Sequence, residues 1–189
     1  MEPPPHNTVT SPSNPRIKNL VRLRSGSHRR RQERFLIEGR RELERAVRSG
    51  RIIETLYLCP ELFRDTSPAE LVRTLADTGC EICRLSPEAF QKAAYREHPD
   101  GLLATAPFWP LELNHLDLPR NPLLVVAEGV EKPGNLGTLL RTADCAGADA
   151  VILAEAVVDV FAPQSVRASQ GALFSVPIAV TRSPEAAAW

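Results

Sequence analysis

The stretch Asn121–Leu153, NPLLVVAEGVEKPGNLGTLLRTADCAGADAVIL, decides the fold. Leu123–Ala127 is an apolar run that reads as a buried strand. Pro133, Gly134 and Gly137 punctuate the turn that follows. Leu136, Leu139, Leu140 and Ala143 then recur on one helical face. Asn135 falls where a helix N-cap belongs, and its side-chain oxygen can accept from an orphan backbone N–H. A second apolar run, Ala150–Ala154, closes a β-α-β unit. Open sheets of this kind bind ligands beyond the carboxyl ends of their strands. Glu128, Asn135 and, one turn into the helix, Arg141 are the polar residues expected at that edge.

Common nucleotide motifs do not fit this unit. Gly129 and Gly134 have the separation of a P-loop, but Asn135 and Leu136 follow where Lys and then Ser or Thr belong. The dinucleotide fingerprint needs three glycines, and only Gly134 and Gly137 are present. The pattern that does match is N-x-G-x-x-x-R: Asn135, Gly137 and Arg141, then Thr142-Ala143 and Gly147. It resembles the first motif of the SpoU (TrmH-like) branch of the knotted SPOUT RNA methyltransferases.

Charge points to the same class of ligand. The formal net charge is zero, yet Arg16–Arg51 holds 13 basic and 4 acidic residues, a balance of +9, and the remainder carries −9. A basic block on an otherwise acidic chain is an electrostatic footprint for a polyanion. The alternative is a solvated helix surface. Adjacent Arg29, Arg30 and Arg31 repel one another, a cost that phosphate relieves. Arg16, Lys18, Arg29, Arg30, Arg31, Arg34, Arg40 and Arg41 are the RNA-binding candidates.

Composition sets the remaining bounds. An apolar fraction of 43% suits a soluble globular protein of one large or two small domains. No run approaches the ~20 apolar residues of a membrane span. MEPPPHNTV lacks the apolar core of a signal peptide, so a cytoplasmic location is expected. Cys80 and Cys83 form a C-x-x-C without a second pair at matching spacing, so no metal site is expected. All four cysteines read as small buried thiols in a reducing compartment.

Along the chain, residues 1–12 are proline-rich and expected to be a disordered tail. Asn14-Pro15 starts a helix with Pro15 at its first position. His28–Arg34 reads as a second basic helix, followed by strand Phe35–Ile37 and helix Arg40–Ser49 ending at Gly50. Strands are expected at Ile52–Leu58, Ile82–Leu85 and Gly101–Ala106, with helices Pro68–Thr78 and from Ser86 to about Ala94. This alternation makes residues 13–107 a small α/β domain. Proline density makes 108–121 a stiff linker, and residues 122–189 a second α/β unit.

The first domain carries the resemblance too. TSPSNPRIKNLVRL, RRRQERFLIEGRRELERAV and HPDGLLA resemble the substrate-binding domain of the same methyltransferases, an α/β/α fold related to L7Ae-type RNA binders. Val166–Ala172, with Ser169, Gly171 and Ala172, resembles the family's segment leading into a helix and strand. From the residues alone, Gly171 and Ala172 read as a small-residue helix packing on a sheet. The resemblance implies an L7Ae-like RNA-binding domain followed by the first half of a SPOUT (α/β knot) domain. It further implies transfer of a methyl group from S-adenosylmethionine to a ribose 2′-hydroxyl of RNA, with ribosomal RNA favoured by the added domain, and a homodimer. The family continues with a glycine-glutamate motif and a Ser/Leu/Asn-rich segment that hold the cofactor. Those segments are expected beyond Trp189, so this chain alone is expected to be unknotted and inactive.

The resemblance gives Arg141 a central role. Arg is always protonated, so orienting phosphate and stabilising charge suit it better than acting as base. The plain alternative is a surface helix arginine. Asn135 reads both as N-cap and as a catalytic or RNA contact. Glu128 is a helper or a loop carboxylate, and Lys132 an exposed loop lysine. Two other functions compete: a non-catalytic RNA-binding protein, and a small-molecule nucleotide enzyme, which the basic block disfavours.

Overall fold

A computed structural model describes residues 8–63 and 68–189. The chain divides into two compact units, Met1–Phe108 and Trp109–Trp189.

The first unit is built on a five-stranded mixed sheet. Its elements are β1 (Thr8–Val9), α1 (Pro15–Arg22), α2 (Gly26–Gln32), β2 (Arg34–Glu38), α3 (Arg40–Arg48), β3 (Thr55–Leu58), α4 (Ala69–Asp77), β4 (Glu81–Leu85), α5 (Pro87–Ala93) and β5 (Leu102–Pro107). The strand order is β1-β4-β3-β5-β2. β1, β4 and β3 run parallel, whereas β5 is antiparallel to both β3 and β2. One face is closed by Ile17, Leu20 and Leu23 with Ala89, Phe90 and Ala93, over Leu36, Tyr57, Cys83 and Leu103. Strand alternation sends Phe35, Ile37, Leu56 and Leu58 to the opposite face. They are buried as well, and so are Leu43 and Ala46 of α3 and Leu71 and Leu75 of α4.

Local chemistry sets the helix starts. Asn14 Oδ1 accepts from Arg16 N–H at 2.8 Å, and Pro15 occupies the first helical position. Ser86 Oγ accepts from Ala89 N–H, again ahead of a proline. Two expectations are corrected here. Thr8-Val9 is a strand paired with Arg84-Leu85, so the expected tail is ordered from residue 8. Residues 1–7 lie outside the described residues. The basic helix ends at Gln32: Glu33 turns left-handed at φ 53°, and Arg34 begins β2.

The second unit holds β6 (Leu124–Glu128), α6 (Pro133–Ala146), β7 (Ala150–Ala154), α7 (Pro163–Ser169), α8 (Ala172–Ser175), β8 (Ile178–Thr181) and α9 (Ser183–Ala188). Its sheet is parallel in the order β6-β7-β8. Successive right-handed crossovers in one direction put their helices on one face, and α6 does pack against α7 and α8. The expected linker is corrected. Trp109 stands edge-on to Phe161, ring centroids 4.7 Å apart, and Val180 N–H donates to Leu111 O at 2.7 Å. Packing of the half-buried indole outweighs the proline signal, and residues 109–121 belong to the second unit. The first strand is also less buried than its apolar run implies. β6 is an edge strand, with Val126 at 59% exposure and Leu123, just ahead of it, at 53%, whereas β7 is buried throughout.

Candidate functional site

The motif helix α6 starts earlier than its sequence implies. Lys132 is the N-cap residue, without a side-chain cap, and Pro133 is the first helical position. Proline lacks an N–H and has a preset φ, so it takes that position. Asn135 therefore sits inside the first turn, exposed, which corrects its assignment as N-cap. Its backbone N–H is among those left without an intrahelical acceptor. Arg141 lies more than two turns from the start, so the terminal dipole, which fades within one turn, does not act on it. The six-residue separation puts Asn135 and Arg141 about 9 Å apart along the axis and about 120° apart around it. They do not form one cluster.

Arg141 is half-buried, and Nη2 lies 3.2 Å from Thr138 Oγ1. Among the described residues it has no carboxylate partner. Glu128, by contrast, is engaged at the carboxyl edge of the sheet: it accepts a short hydrogen bond from Ser183 Oγ, while Ser183 N–H donates to Glu155 at 3.0 Å.

Gly137 has a structural role that the motif alone does not disclose. A Cβ there would lie 2.4 Å from the carbonyl carbon of Ala168 and 2.5 Å from its Cβ. The glycine lets α6 meet the backbone of α7 directly. Ala172 is a buried residue of helix α8, and Gly171 is that helix's N-cap residue. It holds φ +93° after Gln170 at +52°, in the turn joining α7 to α8.

The basic block resolves into different kinds of residue. Arg29 is 3% exposed, and Nη1 donates to Leu23 O at 2.9 Å and Arg24 O at 2.7 Å. It holds the α1–α2 turn from inside, so it is corrected from RNA contact to structural residue. Arg16 pairs with Glu81 at 2.7 Å, Arg34 with Glu54 at 2.5 Å, Arg40 with Glu44 at 2.6 Å and Arg41 with Glu42 at 3.6 Å. The pairs of Arg16, Arg34 and Arg40 are solvent-exposed, and such pairs are weak and exchange readily for phosphate, whereas the Glu42 partner of Arg41 is buried. Lys18, Arg30 and Arg31 are exposed, with Arg31 Nη2 at 2.9 Å from His28 Nδ1.

Sequence reasoning missed three arginines. Arg22 is exposed at the end of α1. Arg24 Nη2 donates to the carbonyls of Lys92, Ala93 and Ala94 at 2.7, 2.9 and 2.6 Å, closing the C-terminus of α5. Arg96 Nη2 donates to Glu38 O at 2.8 Å and pairs with Glu42 at 3.0 Å. Glu38 in turn accepts from the N–H groups of Tyr95 and Arg96 at 2.7 and 3.1 Å. Burial pushes the Glu38 carboxyl above its ordinary pKa, partly offset by those two N–H donors.

Together these features define a two-unit α/β protein with exposed arginines on one unit and an open parallel sheet with the half-buried Arg141 on the other. Residues 14–104 match the MRM3-like substrate binding domain, and residues 122–188 match the SpoU rRNA methylase family. The chain belongs to the SpoU family of RNA methylases. It is 33% identical over 170 residues to the 23S rRNA (guanosine(2553)-2′-O)-methyltransferase RlmP of Bacillus subtilis, covering 90% of this chain and 63% of that protein. It is 30% identical over 163 residues to the 23S rRNA (uridine(2479)-2′-O)-methyltransferase of Streptomyces viridochromogenes, covering 86% and 56%. The AdoMet-bound rRNA methyltransferase of Sinorhizobium meliloti superposes with a TM-score of 0.83 at 28% identity, over 97% of this chain and 67% of that one. A solved RNA 2′-O ribose methyltransferase gives 0.78 at 38%, over 96% and 68%. The α/β fold is that of SpoU methyltransferases. The chain spans about three fifths of the length of the bacterial curated relatives it matches and about two fifths of the mitochondrial ones.

Proposed function

We propose that the protein transfers a methyl group from S-adenosylmethionine to a ribose 2′-hydroxyl of RNA, with ribosomal RNA as substrate. The two curated relatives above are 2′-O-methyltransferases of 23S rRNA, and relatives have been solved with AdoMet bound. The cofactor supplies an electrophilic methyl group. At the carboxyl edge, Glu128 and Glu155 are both engaged by Ser183. What the chain supplies is RNA binding and orientation.

The observation that carries this reading is Arg141, a half-buried guanidinium without a carboxylate partner among the described residues. A fixed planar cation can orient a ribose phosphate and stabilise the alkoxide that develops at the 2′-oxygen. Asn135, exposed in the first turn of α6, presents its side-chain amide and backbone N–H to the same ligand. Lys18, Arg30, Arg31 and Arg41, with exchangeable Arg16, Arg34 and Arg40, hold the RNA backbone on the first unit.

The test is Arg141→Ala under single-turnover conditions. The methyl-transfer rate should fall about 100-fold or more while RNA affinity stays within a few-fold. Arg141→Lys should restore little. A near-normal rate in Arg141→Ala would make this a surface arginine.

A homodimer belongs to this reading, checked by sedimentation. The cytoplasm does too: Cys59, Cys80 and Cys83 are buried free thiols of the kind a reducing compartment preserves. Cys145 is exposed, which corrects its reading as buried. Among the described residues no helix is long and apolar enough to cross a membrane.

A further inference from the structure

The two motif residues of α6 face different ways, and a third residue lies between them. Asn135, Thr138 and Arg141 follow one another at intervals of three, along one of the ridges that run obliquely over a helix surface. Thr138 is about 4.5 Å along the axis and about 60° around it from each of the other two. Leu136, Gly137, Leu140 and Ala143 bury the opposite side of the helix. Gly134, Asn135, Thr138 and Thr142 are exposed beside the half-buried Arg141.

Long helical side chains lean towards the N-terminal turn. Arg141 does so here: its Nη2 donates to Thr138 Oγ1 at 3.2 Å, across one turn of helix. That contact carries the guanidinium roughly one turn back from its own Cα, to the middle of the ridge and towards Asn135. The acidic residue of α6, Asp144, is turned the other way and accepts from Ser175 Oγ of α8 at 2.9 Å. A hydroxyl suits the task better than a carboxylate would. A carboxylate would neutralise the guanidinium and repel phosphate, whereas a neutral oxygen fixes its direction and leaves its charge whole. The β-branch of threonine also limits Oγ1 to few rotamers in a helix, so the acceptor itself is held.

We propose that Thr138 is a positioning residue for methyl transfer, whose hydroxyl holds the Arg141 guanidinium over the turn that carries Asn135. Two motif residues that face different ways thereby act on one ribose phosphate. The inference rests on the reading that Arg141 acts in the reaction.

The experiment is a double-mutant cycle read by single-turnover methyl transfer, with melting point and RNA affinity as controls. Thr138→Val keeps the shape of the side chain and removes the acceptor. Its rate should fall about three- to tenfold, the value of one hydrogen bond, with affinity and melting point unchanged. Thr138→Ser should keep most of the rate. In an Arg141→Ala background Thr138→Val should cost nothing more, because there is no guanidinium left to hold. In the 189-residue chain, nitrogen relaxation at Arg141 Nε should report the same anchor. Its order parameter should drop below about 0.6 in Thr138→Val and stay near wild type in Thr138→Ser. An order parameter that ignores the loss of the hydroxyl would overturn the proposal. So would a Thr138→Val loss of equal size with and without Arg141. A wild-type rate in Thr138→Val beside a 100-fold loss in Arg141→Ala would remove the positioning role alone, whereas a near-normal rate in Arg141→Ala would remove the catalytic reading on which it stands.

Discussion

Replacing Gly137 by Ala tests whether the motif glycine is there for helix packing. The added Cβ would sit 2.4 Å from the Ala168 carbonyl carbon and 2.5 Å from both its oxygen and Cβ. Two of these atoms are backbone, so no rotamer change relieves the contact. Ordinary carbon contacts need about 3.5 Å, so α6 and α7 must separate by about 1 Å. Overpacking of this sort costs ~3 kcal/mol at its upper end, and the better helix propensity of Ala returns ~1 kcal/mol. The net loss is ~2 kcal/mol, a drop of roughly 10 °C if the second unit melts as a domain of its size. Gly134 supplies the control. It lies in the first turn of the same helix with open space around its Cβ position and no positive φ. Gly134→Ala should therefore be neutral or stabilising, by up to ~1 kcal/mol. Calorimetry on both variants separates a packing glycine from a flexible one. A Gly137→Ala protein that melts with wild type, or a Gly134→Ala protein that loses as much, would refute the argument. A surviving Gly137→Ala enzyme should also lose about 100-fold in methyl transfer, since a 1 Å displacement of Arg141 spoils alignment.

The arginine run should divide by role. Arg29→Ala should cost about 2–4 kcal/mol, because two buried charge-assisted hydrogen bonds are lost, with little change in the salt slope of RNA binding. Arg30→Ala with Arg31→Ala should leave the melting point alone and lower that slope by one to two units in a filter-binding titration. Asn14→Ala should remove the α1 cap and cost about 1 kcal/mol, seen by chemical denaturation. Glu38 should produce a defined pH dependence. Its folded pKa is raised by burial above the ordinary 4.5. The folded state thus binds the proton more tightly than the unfolded chain. The favourable contribution is complete below 4.5 and is withdrawn as pH rises through the folded value. Glu38→Gln removes that titration, so its melting point relative to wild type should climb as pH rises above 4.5, and a pH-independent difference would contradict the assignment.

The β-α-β unit was legible because Leu124–Glu128 and Ala150–Ala154 are apolar runs on either side of a helix whose Leu136, Leu140 and Ala143 are buried. Ser86 and Asn14 were legible as caps because each precedes a proline. What failed depended on distant partners. Thr8-Val9 is a strand only because Arg84-Leu85 lies beside it. Arg29, Arg30 and Arg31 are identical in sequence, and only the turn at Leu23-Arg24 buries the first of them. Prolines around Trp109 suggested a linker, and only Phe161 and Phe174, over fifty residues later, show where the indole packs. Asn135 was misplaced by two competing start signals, in which Pro133 prevails over the asparagine. Glu42 gave no sign at all, since a glutamate in a basic helix reads as a surface ion pair.

The most direct measurement gives the enzyme S-adenosylmethionine with a labelled methyl group and ribosomal RNA, digests the product to nucleosides and locates the label. The account predicts a single 2′-O-methylated nucleoside, resistant to alkaline cleavage at its 3′ side and lost at least 100-fold in rate with Arg141→Ala. Label on a base, or equal labelling by wild type and Arg141→Ala, would contradict it.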